Sequence, residues 1–353
     1  MQLAYPNEAP SSVVLRWSAR GRVDPLLGVR ALGEIDLSND ILKAMERAGA
    51  PHAELTRLAS CVRQEWPQLT IGDLAAPSEG SATIGKGCEV CLAEDVSVGR
   101  DHYLRNEWRS CWRVSCERHH TTLTDLAAAE LVPVKIAGAR EHRVRFIRDL
   151  DQVTDPFRLA RHRRGGRSGS FSTLGACLER DIGLALRGTP LPDCWCLGPH
   201  WPTARAVLID LADLLLSQVR GGRERLVHLI AEGDWIPAAQ ASQFAEGCFP
   251  FLGAFWQRRI VESCARILID PAIFEHLEDG RRLNVHAELA FGRVGQKKAR
   301  NALGNLATSD LLSLLFAYMG ESQLEKMEAR VRCWPAPLAR RVASATAVAL
   351  YIQ

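Results

Sequence analysis

Four side chains in the first third of the chain have the types and spacing to hold a metal ion. Cys88 and Cys91 form a C-x2-C pair, and after 24 intervening residues Cys116 and His119 form a C-x2-H pair. Thiolate and imidazole are the ligands zinc favours, at ~2.3 and ~2.0 Å, and two pairs on tight turns can converge on four tetrahedral positions. His120 could stand in for His119 and Cys111 for Cys116; the mirrored spacing of the two pairs selects Cys116 and His119. Four protein ligands leave no open position for water, so the expectation is one structural Zn2+ and not a catalytic ion. Its binding energy, about 10–16 kcal/mol in small zinc peptides, would then be folding energy.

The elements that must position these ligands are read from their flanks. Gly85 and Gly87 suit a knuckle turn in which backbone N–H groups face sulfur. The spacer between the pairs is long enough for a small insert, with a helix expected over residues 101–113. On such a helix Arg105, Trp108, Arg109 and Trp112 share one face by i, i+3, i+4, i+7 spacing. That face is either a surface for phosphate or a partner, or a set of indoles packed over the metal module with solvated arginines.

Around this segment the chain divides by composition. Residues 1–80 read as an N-terminal helical region, with helices through Ile41–Ala48 and Leu55–Val62, and the metal-binding module spans 81–126. Residues 127–170 read as a basic linker. From Lys135 to Arg167 ten basic residues stand against Glu141, Asp149, Asp151 and Asp155; strand-like alternation is scarce in the chain, and residues 144–147 are one weak candidate. Arg140, Arg143, Arg145, Arg148, Arg161, Arg163, Arg164 and Arg167 are the candidate contacts to a nucleic-acid backbone, because clustered cations release counterions on binding. A solvated linker is the competing explanation.

Residues 171–353 read as a C-terminal helical domain. Ser172 can cap a helix ending at Gly188, and Pro202 suits the first turn of a helix that stops at Gly221–Gly222. Further helices are expected near 223–232, 251–269, 272–278, 283–302, 309–319, 321–333 and 337–351. Arg293, Lys297, Lys298 and Arg300 read more readily as a solvated helical face than as a nucleic-acid contact. The fold class is therefore mainly α, multi-helical, with a small structural zinc-finger module in the N-terminal half.

Composition bounds what such a chain can do. It has 353 residues, 47% of them hydrophobic and 24% charged, enough for a core of ordinary size. The net charge of +3 excludes a histone-like polycation, although Arg outnumbers Lys 38 to 6. Eleven cysteines, an odd number, argue against a disulfide framework and for metal ligation or buried thiols. No apolar run is long enough for a membrane helix, and the N-terminus has no basic, apolar leader, so a cytoplasmic protein is expected. No Walker A, HExxH or GxSxG sequence occurs, and ligand pairing accounts for Cys116 and His119 better than a Cys–His nucleophile does. The chain is not expected to be an enzyme.

Three clusters together resemble the TniQ family. They are Cys88, Cys91, Leu92 and Asp95 in C-x2-C-L-x2-D, then Tyr103, Arg105, Trp108 and Arg109 in Y-x-R-x2-W-R, then Cys116, His119 and Leu123 in C-x2-H-x3-L. The opening Pro6–Asn7–Glu8–Ala9–Pro10–Ser11–Ser12 with Arg16 also resembles the start of that family, and the likeness covers about residues 5–126. It implies an accessory factor of transposition, related to the TnsD group. Such factors help select the target site by linking DNA, or a DNA-bound and sometimes RNA-guided targeting complex, to an AAA+ ATPase regulator of the transposase. Some act as homodimers. The chain departs from the pattern where many members carry a second CxxC, since residues 125–133 hold no cysteine. Cys194, Cys196 and His200 offer only three substitutes, and a tight Pro-bounded turn with buried thiols explains them better. A stand-alone zinc-containing DNA-binding regulator is the alternative function.

Overall fold

A computed structural model describes residues 85–136, 139–148, 173–218, 225–227, 247–269 and 321–343, together with residues 5, 7–9, 12, 13, 16, 68, 315 and 319. Among the described residues helices supply most of the secondary structure. The chain forms two compact units, residues 1–171 with 250–258 and residues 172–249 with 259–353. No helix among the described residues is long and apolar enough to cross a membrane. The expected helices over 41–48, 55–62, 223–232, 272–278, 283–302 and 309–319, and the basic face at 293–300, lie outside the described residues or nearly so.

The first unit is built on a short strand, β1 (Gly85–Gly87), which runs directly into helix α1 (Glu89–Ser97). Along α1 the buried positions Cys91, Leu92 and Asp95 follow the helical repeat, with Cys88 as the N-cap in extended conformation. Gly87 is required by close approach: a Cβ there would stand 3.0 Å from Leu126 Cδ1 and 3.3 Å from Leu92 Cδ1. Beyond α1 the expected helix over 101–113 is reduced to one 3-10 turn, Asn106–Arg109. The segment is instead held from both sides, by Val144 and Phe146 and by Asn7, Ala9 and Ser12, in ways that need its backbone groups outside a helix.

The reading of 127–170 as a linker is corrected over its first half. Strands β2 (Thr124–Ile136) and β3 (Ala139–Arg148) form a long antiparallel hairpin. The three-stranded sheet has the order β1-β2-β3, with Gly85 opposite Leu126 and, past a bulge at Leu126–Ala128, Ala129 opposite Phe146 and Ile136 opposite Ala139. Arginine at every second or third residue disguised β3 as a charge run. Val144 and Phe146 are nevertheless buried, while Arg143 is half-buried and Arg145 exposed, the period-two alternation of a half-buried strand. Pro133 disguised β2. It stands opposite His142, two steps from the Leu131–Val144 pair, whose Val144 N–H points away from β2. By the same parity the N–H that Pro133 lacks belongs to an outward position, where β1 does not reach, so no ladder bond is lost.

The outer rim of β3 is closed by residues 101–102. His102 donates its backbone N–H to Val144 O at 3.0 Å, Asp101 Oδ1 accepts the Val144 N–H at 3.1 Å, and His102 Nδ1 accepts the Phe146 N–H at 2.9 Å. Burial pushes the His102 pKa down, helped by nearby Arg145, which suits a neutral ring accepting at Nδ1. Beneath the sheet Lys86 is buried, its ammonium donating to Ser110 O (2.8 Å), Arg113 O (2.6 Å) and Gln257 Oε1 (2.6 Å). A second tie comes from Asp125, whose carboxylate accepts the Ala254 N–H at 2.9 and 3.0 Å, at the first residue of helix α4 (Ala254–Leu268).

Residues 5, 7–9, 12, 13 and 16 are part of this module, which corrects their assignment to a separate region over 1–80. Ala9 N–H donates to Leu104 O at 2.8 Å, Asn106 N–H to Asn7 O at 3.0 Å, and Leu104 N–H to Ser12 Oγ at 3.0 Å. Glu8 and Arg16, both almost fully buried, pair through two 2.7 Å hydrogen bonds.

In the second unit, α2 (Thr173–Leu186) and α3 (Trp201–Leu216) are joined by a turn that includes the 3-10 segment Asp193–Trp195. Pro202 lies in the first turn of α3, and the helix ends at Leu216, several residues before Gly221. Two aspartates accept buried indole N–H groups, Asp181 from Trp195 and Asp210 from Trp334, each at 2.9 Å. Arg330, on α5 (Glu321–Val331), binds Asp210 and Asp213 together.

Candidate metal centre

Two local structures carry the ligand pairs. Cys88 and Cys91 span the first turn of α1, where free backbone N–H groups and the positive end of the helix favour thiolate. Cys116 and His119 sit at the tip of a tight hairpin. Leu123 N–H bonds to Val114 O, Cys116 N–H to Thr121 O at 2.7 Å, and His120 N–H back to Cys116 O at 2.8 Å. Closing that turn puts exposed His120 at φ +52°, the left-handed region.

The four predicted ligands come together. Their ligand atoms all lie within 4.8 Å of one another. Cys91 Sγ is 3.7 Å from Cys116 Sγ, and His119 Nδ1 is 3.2, 3.5 and 3.6 Å from the sulfurs of Cys91, Cys88 and Cys116. A tetrahedral ion with bonds of ~2.3 Å to sulfur and ~2.0 Å to nitrogen has S–S edges of about 3.8 Å and S–N edges of about 3.5 Å. These four edges fall within about 0.3 Å of those values, so the cluster is compatible with zinc and can hold a metal ion. Cys111 is buried but is not in the cluster, and His120 is exposed. Among the described residues this is the one such cluster; Cys194, Cys196 and His200 do not form a second.

The three thiols are not equivalent. Cys88 is held down at about 4, by a hydrogen bond from the Cys116 thiol first, then by the Thr121 hydroxyl, the Cys91 backbone N–H and His119, against burial. Thr121 Oγ1 stands 3.3 Å from the Cys88 sulfur. Burial raises Cys91 to about 11, and donation to Cys88 together with burial raises Cys116. Thiolate is thus concentrated on Cys88, with Cys91 and Cys116 held toward the thiol form. Binding an ion to three thiolates must expel protons, so affinity should rise with pH through the neutral range. Calorimetric titration of Zn2+ in buffers of different ionisation enthalpy should report that release; none at pH 7 would refute the assignment of protons.

The remaining motif residues are structural. Arg105 pairs with Asp95 at 3.1 and 3.2 Å, and its guanidinium lies 4.4 Å from the Tyr103 ring centre and 4.6 Å from that of Trp108. Burial raises the Asp95 pKa in spite of this partner. Trp108 and Trp112 are each 1% exposed, and Arg113 pairs with Glu117. Tyr103, Trp108 and Trp112 thus form core, Arg105 is occupied within it, and Arg109 is half-buried.

Of the eight candidate phosphate contacts, Arg161, Arg163, Arg164 and Arg167 lie outside the described residues. Arg140, Arg143, Arg145 and Arg148 lie on β3, where Arg143 and Arg145 have one parity and Arg140 and Arg148 the other. The structure therefore spreads them over a ribbon instead of a linker.

Two residues near the cluster carry no signal in ligand spacing alone. Thr121 becomes visible only with the hairpin. Glu94 follows Cys91 by one helical turn, a relation that a helical C-x2-C would reveal and a knuckle turn would hide. Comparison with family models, with curated proteins and with solved structures finds no match to this chain.

Proposed function

We propose that the chain is a non-enzymatic, TniQ-like accessory protein of transposition, in which one structural Zn2+ on Cys88, Cys91, Cys116 and His119 organises a module that links target DNA, or a DNA-bound targeting complex, to an AAA+ ATPase. The observation that carries this reading is the use made of the motif residues. Cys88, Cys91, Leu92, Trp108, Cys116 and Leu123 share one hydrophobic cluster, and Asp95, Tyr103 and Arg105 form one buried clamp beside it. The opening Glu8 and Arg16 lock onto the same module. The residues of the family pattern thus sit together in a single structure. The test is reconstitution: the zinc-loaded chain should retain on a column the ATPase encoded beside its own gene, and deleting the chain should abolish targeted insertion. Absence of an ATPase and a transposase among the neighbouring genes, with no ATPase binding, would overturn the proposal.

A stand-alone zinc-containing DNA-binding regulator is the second reading, favoured by the hairpin. Past Ala128 the β2–β3 pair is a two-stranded ribbon carrying three arginines, Arg140, Arg143 and Arg145, on one strand, an element of the width that a DNA major groove admits. Duplex binding should weaken with salt, and replacing Arg143 and Arg145 by Ala should lower the slope of log K against log salt by about 1.8 in magnitude. An unchanged slope would remove these residues from the interface. Sequence-specific binding that needs no ATPase would favour this second reading over the first.

A further inference from the structure

We propose that Glu94 is the positioning residue of the metal centre, fixing the His119 ring so that Nδ1, and not Nε2, is the ligand nitrogen. The inference rests on the metal assignment above and adds a residue to it.

His119 Nε2 lies 3.2 Å from Glu94 Oε1, on the side of the ring away from the sulfurs, while Nδ1 faces all three of them. A neutral imidazole carries one N–H, and the partner of one nitrogen decides which lone pair is left for the other. A carboxylate can only accept, so it selects the Nε2–H tautomer and leaves the Nδ1 lone pair toward the cluster. The ring's direction is set at the same time, because it is gripped at opposite corners.

The grip closes between the two halves of the site. Glu94 follows Cys91 by three residues on α1, so one helical turn supplies a sulfur ligand and the acceptor for the opposing histidine. From the opposing hairpin Arg118, adjacent to His119, returns the contact, with Nη1 2.9 Å from Glu94 Oε2. Oε2 thus faces the arginine alone, while Oε1 faces His119 Nε2 and, at 3.4 Å, Arg118 Nη2 as well. The Glu94 side chain is 39% exposed and that of Arg118 is 68% exposed. An ion pair so placed contributes little stability by itself. Its effect lies in the orientation of the buried end of the ring.

The experiment uses the full chain, with Zn2+ affinity measured by competition with a chromophoric chelator and Co2+ as the spectroscopic probe. Glu94→Ala should weaken Zn2+ binding 10–100-fold. Its Co2+ d–d bands should shift, because the ring is no longer fixed, while circular dichroism at saturating zinc stays as in the parent chain. Glu94→Gln keeps an oxygen that can accept from Nε2–H and should recover most of the affinity. A parent chain that binds neither metal would sink the metal assignment itself. A parent chain that binds, beside a Glu94→Ala variant with unchanged affinity and unchanged Co2+ spectrum, would overturn the role of Glu94 and leave the metal centre standing. Failure of Glu94→Ala to fold at saturating zinc would also overturn it, since orienting the ring from the surface leaves the fold intact.

Discussion

A Cys116→Ser chain is expected to hold no zinc and to lose the cooperative fold of residues 85–148. The hydroxyl is a poor zinc ligand at neutral pH, and the other three ligands cannot complete the tetrahedron. The energy at stake, about 10–16 kcal/mol in small zinc peptides, is as large as the whole stability of an ordinary domain, about 5–15 kcal/mol. Cys116 is also fully buried beside Cys91, so the substitution leaves a polar group among thiols. Native mass spectrometry should show one zinc on the parent chain and none on the variant, and limited proteolysis should open the 85–148 segment. The partner substitution is His120→Gly. His120 is exposed, lies outside the ligand cluster and strains the backbone at φ +52°. Glycine should keep the zinc and relieve about 1 kcal/mol of that strain. A Cys116→Ser chain that remains folded without metal would end the structural-ion reading; zinc lost from His120→Gly would mean the wrong histidine is assigned.

The second large effect is expected at the other end of the module. Glu8→Ala should destabilise the first unit by about 3–5 kcal/mol, because it removes the buried carboxylate that both 2.7 Å hydrogen bonds of Arg16 reach. The two side chains are 0% and 1% exposed and bonded through both carboxylate oxygens. Burial raises the Glu8 pKa even against this partner, so the site tolerates charge only as a pair. Arg16 also lies 4.1 Å over the Tyr5 ring, whose hydroxyl reaches Asp101. Replacing both residues by apolar side chains of similar volume, Glu8→Leu with Arg16→Met, should restore most of the loss, since no buried charge is then left unpaired. Urea unfolding of zinc-loaded protein measures both. A loss below about 1 kcal/mol for Glu8→Ala would show that residues 5–16 are peripheral to the module.

Local rules made part of this structure legible. Coordination chemistry fixes ligand type and spacing, and Cys88, Cys91, Cys116 and His119 are the four that the fold gathers. Helical periodicity is likewise local: the helix expected over 251–269 is found at Ala254–Leu268, and that over 321–333 at Glu321–Val331. What escaped depends on residues far apart in the chain. β3 is a strand because Val144 and Phe146 find a core built partly by Ala9 and Leu92, and its arginines conceal the alternation. Residues 101–113 have helical spacing of aromatic and basic side chains. Their backbone is committed to β3 and to residues 7–12 instead, and tertiary pairing overrides the pattern. Glu94 needed α1 to be known as a helix beginning at Cys88. The burial of Lys86 needed Gln257, 171 residues away.

The covering of the β3 rim by Asp101 and His102 has a consequence for how this chain meets other copies of itself. Unpaired N–H and C=O groups along a strand are the template on which fibrils and promiscuous sheets grow. Both groups of Val144 and the N–H of Phe146 are already taken by a carboxylate, a backbone amide and an imidazole, none of which can pass the ladder on to another strand. Replacing His102 by an aliphatic residue would uncap that stretch, and the cost should surface as self-association at high concentration before it surfaces as unfolding.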